Sequence, residues 1–84
     1  MKRIVCAAIR NSTGYIICGA RHYDTIMRQA IRTSTQNWSN SEQGFIDDKG
    51  NYLTRQEAWV VADKAGQIIR KVATDGELFS ENLY

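Results

Sequence analysis

Two short apolar runs stand at the start of the chain, Arg3 to Ile9 (RIVCAAI) and Tyr15 to Ala20 (YIICGA), with Asn11-Ser12-Thr13-Gly14 between them. Apolar, β-branched segments joined by a few Asn, Ser and Gly residues predict an antiparallel β-hairpin, because those turn residues accept the backbone angles that reverse a chain. Neither run alternates polar with apolar residues. Both faces of the hairpin are therefore expected to be covered, by helices or by a neighbouring subunit.

The rest of the chain supplies candidates for that cover. Asp24 can accept hydrogen bonds from the free amides of a first helical turn, and Ile26, Met27, Ala30 and Ile31 recur at helical spacing behind it. A first helix is expected from Asp24 to about Thr35, weakening where Thr33, Ser34 and Thr35 accumulate. The stretch 36–42 is polar and loop-like, with Trp38 as its one large anchor. Residues 43–47 and 51–53 flank Asp48-Lys49-Gly50, a second hairpin signal. Thr54-Arg55-Gln56-Glu57 has the form of a capping box. Ala58, Val61, Ala62 and Ala65 then lay a narrow stripe of small residues along one face of a second helix, which Gly66 stops. Ile68 to Val72 reads as a short strand. The tail, with Leu78, Phe79, Leu83 and Tyr84, is apolar enough to pack on its own domain or on a partner subunit.

The order is thus β-β-α, β-β-α, tail: an α+β fold in which antiparallel hairpins pack on two helices. With 84 residues the chain makes one domain, 1–84, small enough that oligomerisation is a plausible way to complete its core. Charge is nearly balanced, 11 Lys and Arg against 9 Asp and Glu, which is too weak a surplus to announce nucleic acid. The apolar run at the N-terminus is too short for a signal-peptide core or a membrane span, so a cytoplasmic protein is expected. Cys6 and Cys18 fall inside predicted strands, where free cysteine acts as a small, inert hydrophobe. A cross-strand pair could also oxidise.

Catalytic chemistry finds little to stand on. His22 is the single histidine, no Cys/His spacing suits zinc, and the six glycines are too scattered for a phosphate loop. No catalytic residue, metal or cofactor is expected. Polar groups gather instead where elements join. Arg21, His22 and Asp24 lie where a strand hands over to a helix, Gln43, Gly44 and Phe45 open the second hairpin, and Arg55 sits in the first turn of the second helix. Helix-terminal amides favour anions, the arginine fork suits phosphate, and an aromatic offers a face to a base. Each residue also has a plain structural reading. Arg21 and Arg55 could pair with Asp24 and Glu57, His22 could be a hydrogen-bonded structural histidine, and Trp38, Phe45 and Trp59 could be core anchors.

Five blocks in order, Gly19-Ala20-Arg21-His22, Gln43-Gly44-Phe45, Arg55-Gln56-Glu57-Ala58, Ala65-Gly66-Gln67 and Leu78-Phe79-Ser80-Glu81-Asn82-Leu83-Tyr84, carry a resemblance. The chain resembles the phage Thoeris anti-defence sponges, small proteins that bind cyclic ADP-ribose isomers and so silence a host immune signal. The resemblance implies a non-enzymatic protein that captures a cyclic nucleotide without degrading it, with a separate site for cyclic oligonucleotides in some members. It further implies a homo-oligomer built from dimers, up to a hexamer, in the host cytoplasm. Carried onto matching positions, it places Arg21, His22, Gln43, Gly44, Phe45 and Arg55 in the ligand pocket. The chain is short for this group between the first helix and Gln43. Two other classes stay open: a nucleic-acid-binding phage regulator using Arg28 and Arg32 on the first helix, and a module that binds a host protein.

Overall fold

The computed structural model describes residues 2–69, 76–79 and 82–83. Strand β1 (Ile4–Arg10) and strand β2 (Ile16–Gly19) form the expected first hairpin, and β3 (Glu42–Asp47) with β4 (Tyr52–Thr54) form the second. β1 also pairs antiparallel with β3, so the two hairpins fuse into one four-stranded sheet of order β2-β1-β3-β4. A register shift between Ile4 and Cys6 marks an irregularity at the start of β1.

Register sorts the side chains. Ala7 faces Gly19 and Phe45, Ile9 faces Ile17 and Gln43, and Phe45 faces Leu53, which defines an inner face. Helix α1 (Thr25–Thr33) and helix α2 (Arg55–Lys64) pack there. Ala7, Ile9, Met27, Phe45, Ala58, Ala62 and Leu78 have no exposed surface and form one cluster, with Trp38 and Trp59 packed at its edge. Each large side chain removed from water in this way contributes about 1.5–3 kcal/mol. The outer face carries Cys6, Ala8 and Arg10 of β1 beside Ile16 and Cys18 of β2. Here Ile16 and Cys18 are exposed, so the protomer covers one face of its hairpin and not both.

Both helices begin as their sequences dictate. Asp24 caps α1 by accepting from the Met27 amide at 2.8 Å. Thr54 and Glu57 close the capping box of α2 in both directions, at 3.2 and 2.9 Å. The first helix stops at Thr33, two residues before Thr35, because Ser34 turns extended and sends its hydroxyl to the loop. That hydroxyl accepts from the Gln36 amide and the Trp38 indole, at 3.0 and 2.9 Å. A serine at a helix end competes for the backbone in this way.

The expected strand at 68–72 is not formed at Ile68 and Ile69, and its remainder lies outside the described residues. Gln67 takes the role of a strand neighbour instead. Its side-chain amide accepts from the Ile4 amide at 2.7 Å and donates to the Ile4 carbonyl at 2.8 Å. The Ile69 amide bonds the Asn82 carbonyl at 2.8 Å, and the Leu78 amide bonds the Arg55 carbonyl at 3.0 Å. The tail is therefore part of this domain, with Leu78 fully buried.

Leu78→Ala should lower the unfolding free energy by about 2–4 kcal/mol, the usual range for emptying a buried leucine site. The urea midpoint measures it, and an unchanged midpoint would take Leu78 out of the core.

Candidate ligand-binding site

A tight turn delivers Arg21 and His22. The Asp24 carboxylate reaches back over it and accepts from the amides of Ala20 and Arg21 at 2.9 and 3.2 Å, besides the Met27 amide of the helix. Gly19 makes this closure possible, since a Cβ there would stand 2.7 Å from the carboxylate oxygen. The next residue but three, Tyr23, adopts φ 56°, a left-handed conformation that costs a non-glycine residue about 1 kcal/mol or more. It is held there from both sides: its amide points to the Met27 sulfur at 3.1 Å, and its carbonyl accepts from Arg28 Nε at 2.6 Å.

The turn sets His22 against β3. Its Nε2 lies 2.7 Å from the Gly44 carbonyl oxygen, and its ring meets Phe45 edge-on with centroids 4.9 Å apart. A carbonyl can only accept, so Nε2 carries the proton in this contact. Gly44 itself is pressed from the outer side. A Cβ there would collide with the Leu53 carbonyl and the Tyr52 hydroxyl, so the strand tolerates no side chain at this point.

One residue earlier, Gln43 meets the second arginine. Arg55 donates from Nη2 to Gln43 Oε1 at 2.6 Å and from Nε to the Leu78 carbonyl at 3.1 Å, and its guanidinium lies 4.3 Å over the Phe79 ring. The alternative in which Arg55 simply pairs with Glu57 is not what forms, for Glu57 is engaged in the capping box. Asp24 likewise receives the backbone of Arg21.

Five of the six expected site residues thus meet along β3: His22 with Gly44 and Phe45, and Arg55 with Gln43. Arg21 is exposed beside His22, which is half-buried, as are Gln43 and Arg55. Phe45 has no exposed surface. It supports the histidine from within the core, so a stacking face for a base would have to come from elsewhere.

A second cluster went unnoticed in the sequence. On the outer face the Arg10 guanidinium lies 4.3 Å over the Tyr52 ring and pairs with Glu42 at 2.8 Å, and the Tyr52 hydroxyl donates to the Glu42 carbonyl at 3.2 Å. Burial, and then the charge of Glu42, push the Tyr52 hydroxyl well above its usual value. The exposed Arg10–Glu42 pair itself adds little to stability. Nothing local signals this cluster, because residues 10, 42 and 52 meet only once the hairpins have fused.

Three clefts open on the described surface, one of them beside Arg10 and Glu42 of this cluster. One of about 440 Å³ runs along α1 between Arg28, Ile31 and Arg32, and another of about 500 Å³ lies between the β1–β2 turn and Asn40 and Glu42. A third, of about 400 Å³, is lined by Lys2, Val60, Val61 and Lys64. Among the described residues no His, Cys, Asp and Glu side chains gather in a group able to hold a metal ion, and no helix is long and apolar enough to cross a membrane.

The fold and these joints define a small α+β protein whose distinctive polar residues converge on one strand of its sheet. It belongs to the phage T4 y16D protein family, whose model matches residues 3–84, and so is a small phage protein. No curated protein and no solved structure matches the chain.

The Asp24 carboxylate is held below its usual 3.8 by the Met27 and Arg21 amides. Since the folded value is the depressed one, the turn keeps its full stabilisation above about pH 4 and loses it as pH falls through the folded value. The protection of the Ala20 and Arg21 amides against hydrogen exchange, measured relative to the intrinsic rate at each pH, should fall in that acid window. Asp24→Ala should show the faster exchange already at neutral pH, and equal protection in the variant would remove Asp24 as the clasp.

Proposed function

We propose that this phage protein is an anti-defence sponge: it binds a cyclic nucleotide immune signal, first of all a cyclic ADP-ribose isomer, and holds it without degrading it. The observation that carries this reading is the convergence of blocks remote in sequence. Residues 22, 43–45 and 55 bring a histidine and an arginine together along β3, with the exposed Arg21 on the turn beside His22. The guanidinium fork suits the phosphates of such a ligand, while His22, bonded through Nε2 to the Gly44 carbonyl, holds the turn that carries Arg21 against β3.

Capture needs affinity and slow release rather than a general acid or base, and a small-molecule site works best when it is concave and dry. None of the three clefts described above is lined by His22 or Arg55. A second copy could wall in such a site, and the exposed Ile16 and Cys18 of the outer hairpin face and Val60 on α2 give an oligomer surface to use. The site and the homo-oligomer therefore belong to the same proposal. The cytoplasm of the infected host is where such a signal would be met.

Arg28 and Arg32 lining one cleft on α1 favour a second reading, a regulator that touches nucleic-acid phosphates. Salt separates the two. Nucleic-acid binding falls steeply with rising salt, whereas capture in a closed pocket depends on it mildly.

Calorimetric titration with cyclic ADP-ribose isomers and cyclic di- and trinucleotides, followed by heat denaturation and chromatography of the released ligand, tests the proposal. Tight binding with ligand recovered unchanged is expected. Altered ligand would mean catalysis, and no binding across the panel would end the sponge reading. Arg21→Ala should weaken binding roughly ten- to a hundredfold, the loss of one charge-assisted contact of about 1.5–3 kcal/mol. Arg55→Ala should weaken it similarly and also lower the melting temperature, because Arg55 ties α2 to the tail. Unchanged affinity in both would remove the site. Light scattering should report a particle larger than the protomer, and a monomer at micromolar concentration would sink the shared pocket.

A further inference from the structure

Both cysteines of the chain lie on the outer face of the β1–β2 hairpin. Ala8 faces Cys18 in the register. Cys6, two residues from Ala8 and on the same face, therefore stands diagonally across from Cys18, within the range at which side chains on adjacent strands interact. The thiols are close enough to affect each other: after burial, the neighbouring Cys18 is the main cause that pushes Cys6 up to about 11. Cys18 is exposed and Cys6 half-buried, and both are free. This corrects the expectation of two inert, buried cysteines.

An accessible thiol beside a sheltered one forms a pair in which the first reacts with a partner from solution and the second resolves the product. We propose that Cys18 and Cys6 are a thiol–disulfide exchange site, at which a low-molecular-weight disulfide closes a reversible bond between β2 and β1. In the first step the Cys18 thiolate attacks one sulfur of the small disulfide, whose S–S bond breaks and whose other half leaves and takes up a proton. In the second, Cys6 loses its proton to solvent and attacks the Cys18 sulfur, expelling the remaining small thiol. Two protein thiols are oxidised and one disulfide is reduced to two thiols, so atoms and electrons balance. Burial of Cys6 makes the second step the slower one, and exposure of Cys18 leaves the finished bond open to reduction.

The position gives the bond a consequence. Cys18 directly precedes Gly19, the residue that packs against the Asp24 carboxylate at the base of the Arg21–His22 turn. Closing it would pin the end of β2 from which that turn departs.

The test is to incubate the folded chain with oxidised glutathione, alkylate, digest with trypsin without reduction, and weigh the peptides. Peptide 4–10 should be joined to peptide 11–21, neither thiol should alkylate, and dithiothreitol should restore both. The oxidised form should melt about 5–10 °C higher, since a closed loop restricts the unfolded chain. Cys6→Ala should stop at a stable glutathione adduct on Cys18, and Cys18→Ser should prevent the cross-link. The proposal is overturned if the wild-type chain accumulates the Cys18 adduct with Cys6 still open to alkylation. Chains linked to each other through Cys18, or both thiols untouched, would overturn it as well.

Discussion

At Gly44 the backbone of β3 is enclosed on every side. Ala8 of β1 and Thr54 of β4 flank it in the sheet, Tyr52 lies over its α-carbon, and its carbonyl accepts the His22 imidazole. Close approach of this kind is open only to a residue without a side chain. It lets Tyr52 of β4 close over β3, and so leaves room on the outer face for the Arg10–Tyr52–Glu42 cluster. On the inner face the neighbouring Phe45 then fills the centre of the core and supports His22.

Around that point, residues that a binding protein would use for a ligand also hold the protomer together. Arg55 joins the start of α2 to Gln43 of the sheet and to Leu78 of the tail. Gln67 holds β1 through both hydrogen bonds of the Ile4 backbone. Asn82 accepts the Phe79 amide with its side chain at 2.7 Å and the Ile69 amide with its carbonyl at 2.8 Å, which joins the tail to the segment that follows α2. A side chain held by two or three partners loses its freedom on folding, so its position is fixed in advance of any binding event. Arg21 is exposed on a turn whose backbone is fixed by Asp24.

Three carboxylates act as the joints of the structure, each by accepting amides at a place where the chain changes direction. Asp24 closes the β2–α1 turn, Glu57 caps α2, and Asp47 shapes the β3–β4 turn by accepting from the Lys49 and Asn51 amides at 3.0 and 2.8 Å. All three are held below their usual values by those hydrogen bonds. Acid weakens all three together, because a protonated carboxyl is the poorer acceptor.

Much of this was legible in the residues. The turn residues of both hairpins, the Asp24 cap, the capping box of Thr54 and Glu57 and the small-residue stripe of α2 are local signals, each acting within about one helical turn or one hairpin. They determined the β-β-α, β-β-α order and the α+β class. Only tertiary structure decided which strands met: the β1–β3 pairing joins residues about 35 apart in sequence, and no local preference specifies it. The same distance hid the attachment of Arg55 to Leu78 and of Gln67 to Ile4, and so the replacement of a strand at Ile68 by side-chain bonding. Exposure was equally out of reach, as Cys18 shows: an apolar run reads the same whether its strand is central or at an edge. Where the sheet ends is decided by the packing of the whole chain, and that left β2 at the edge with its outer face open.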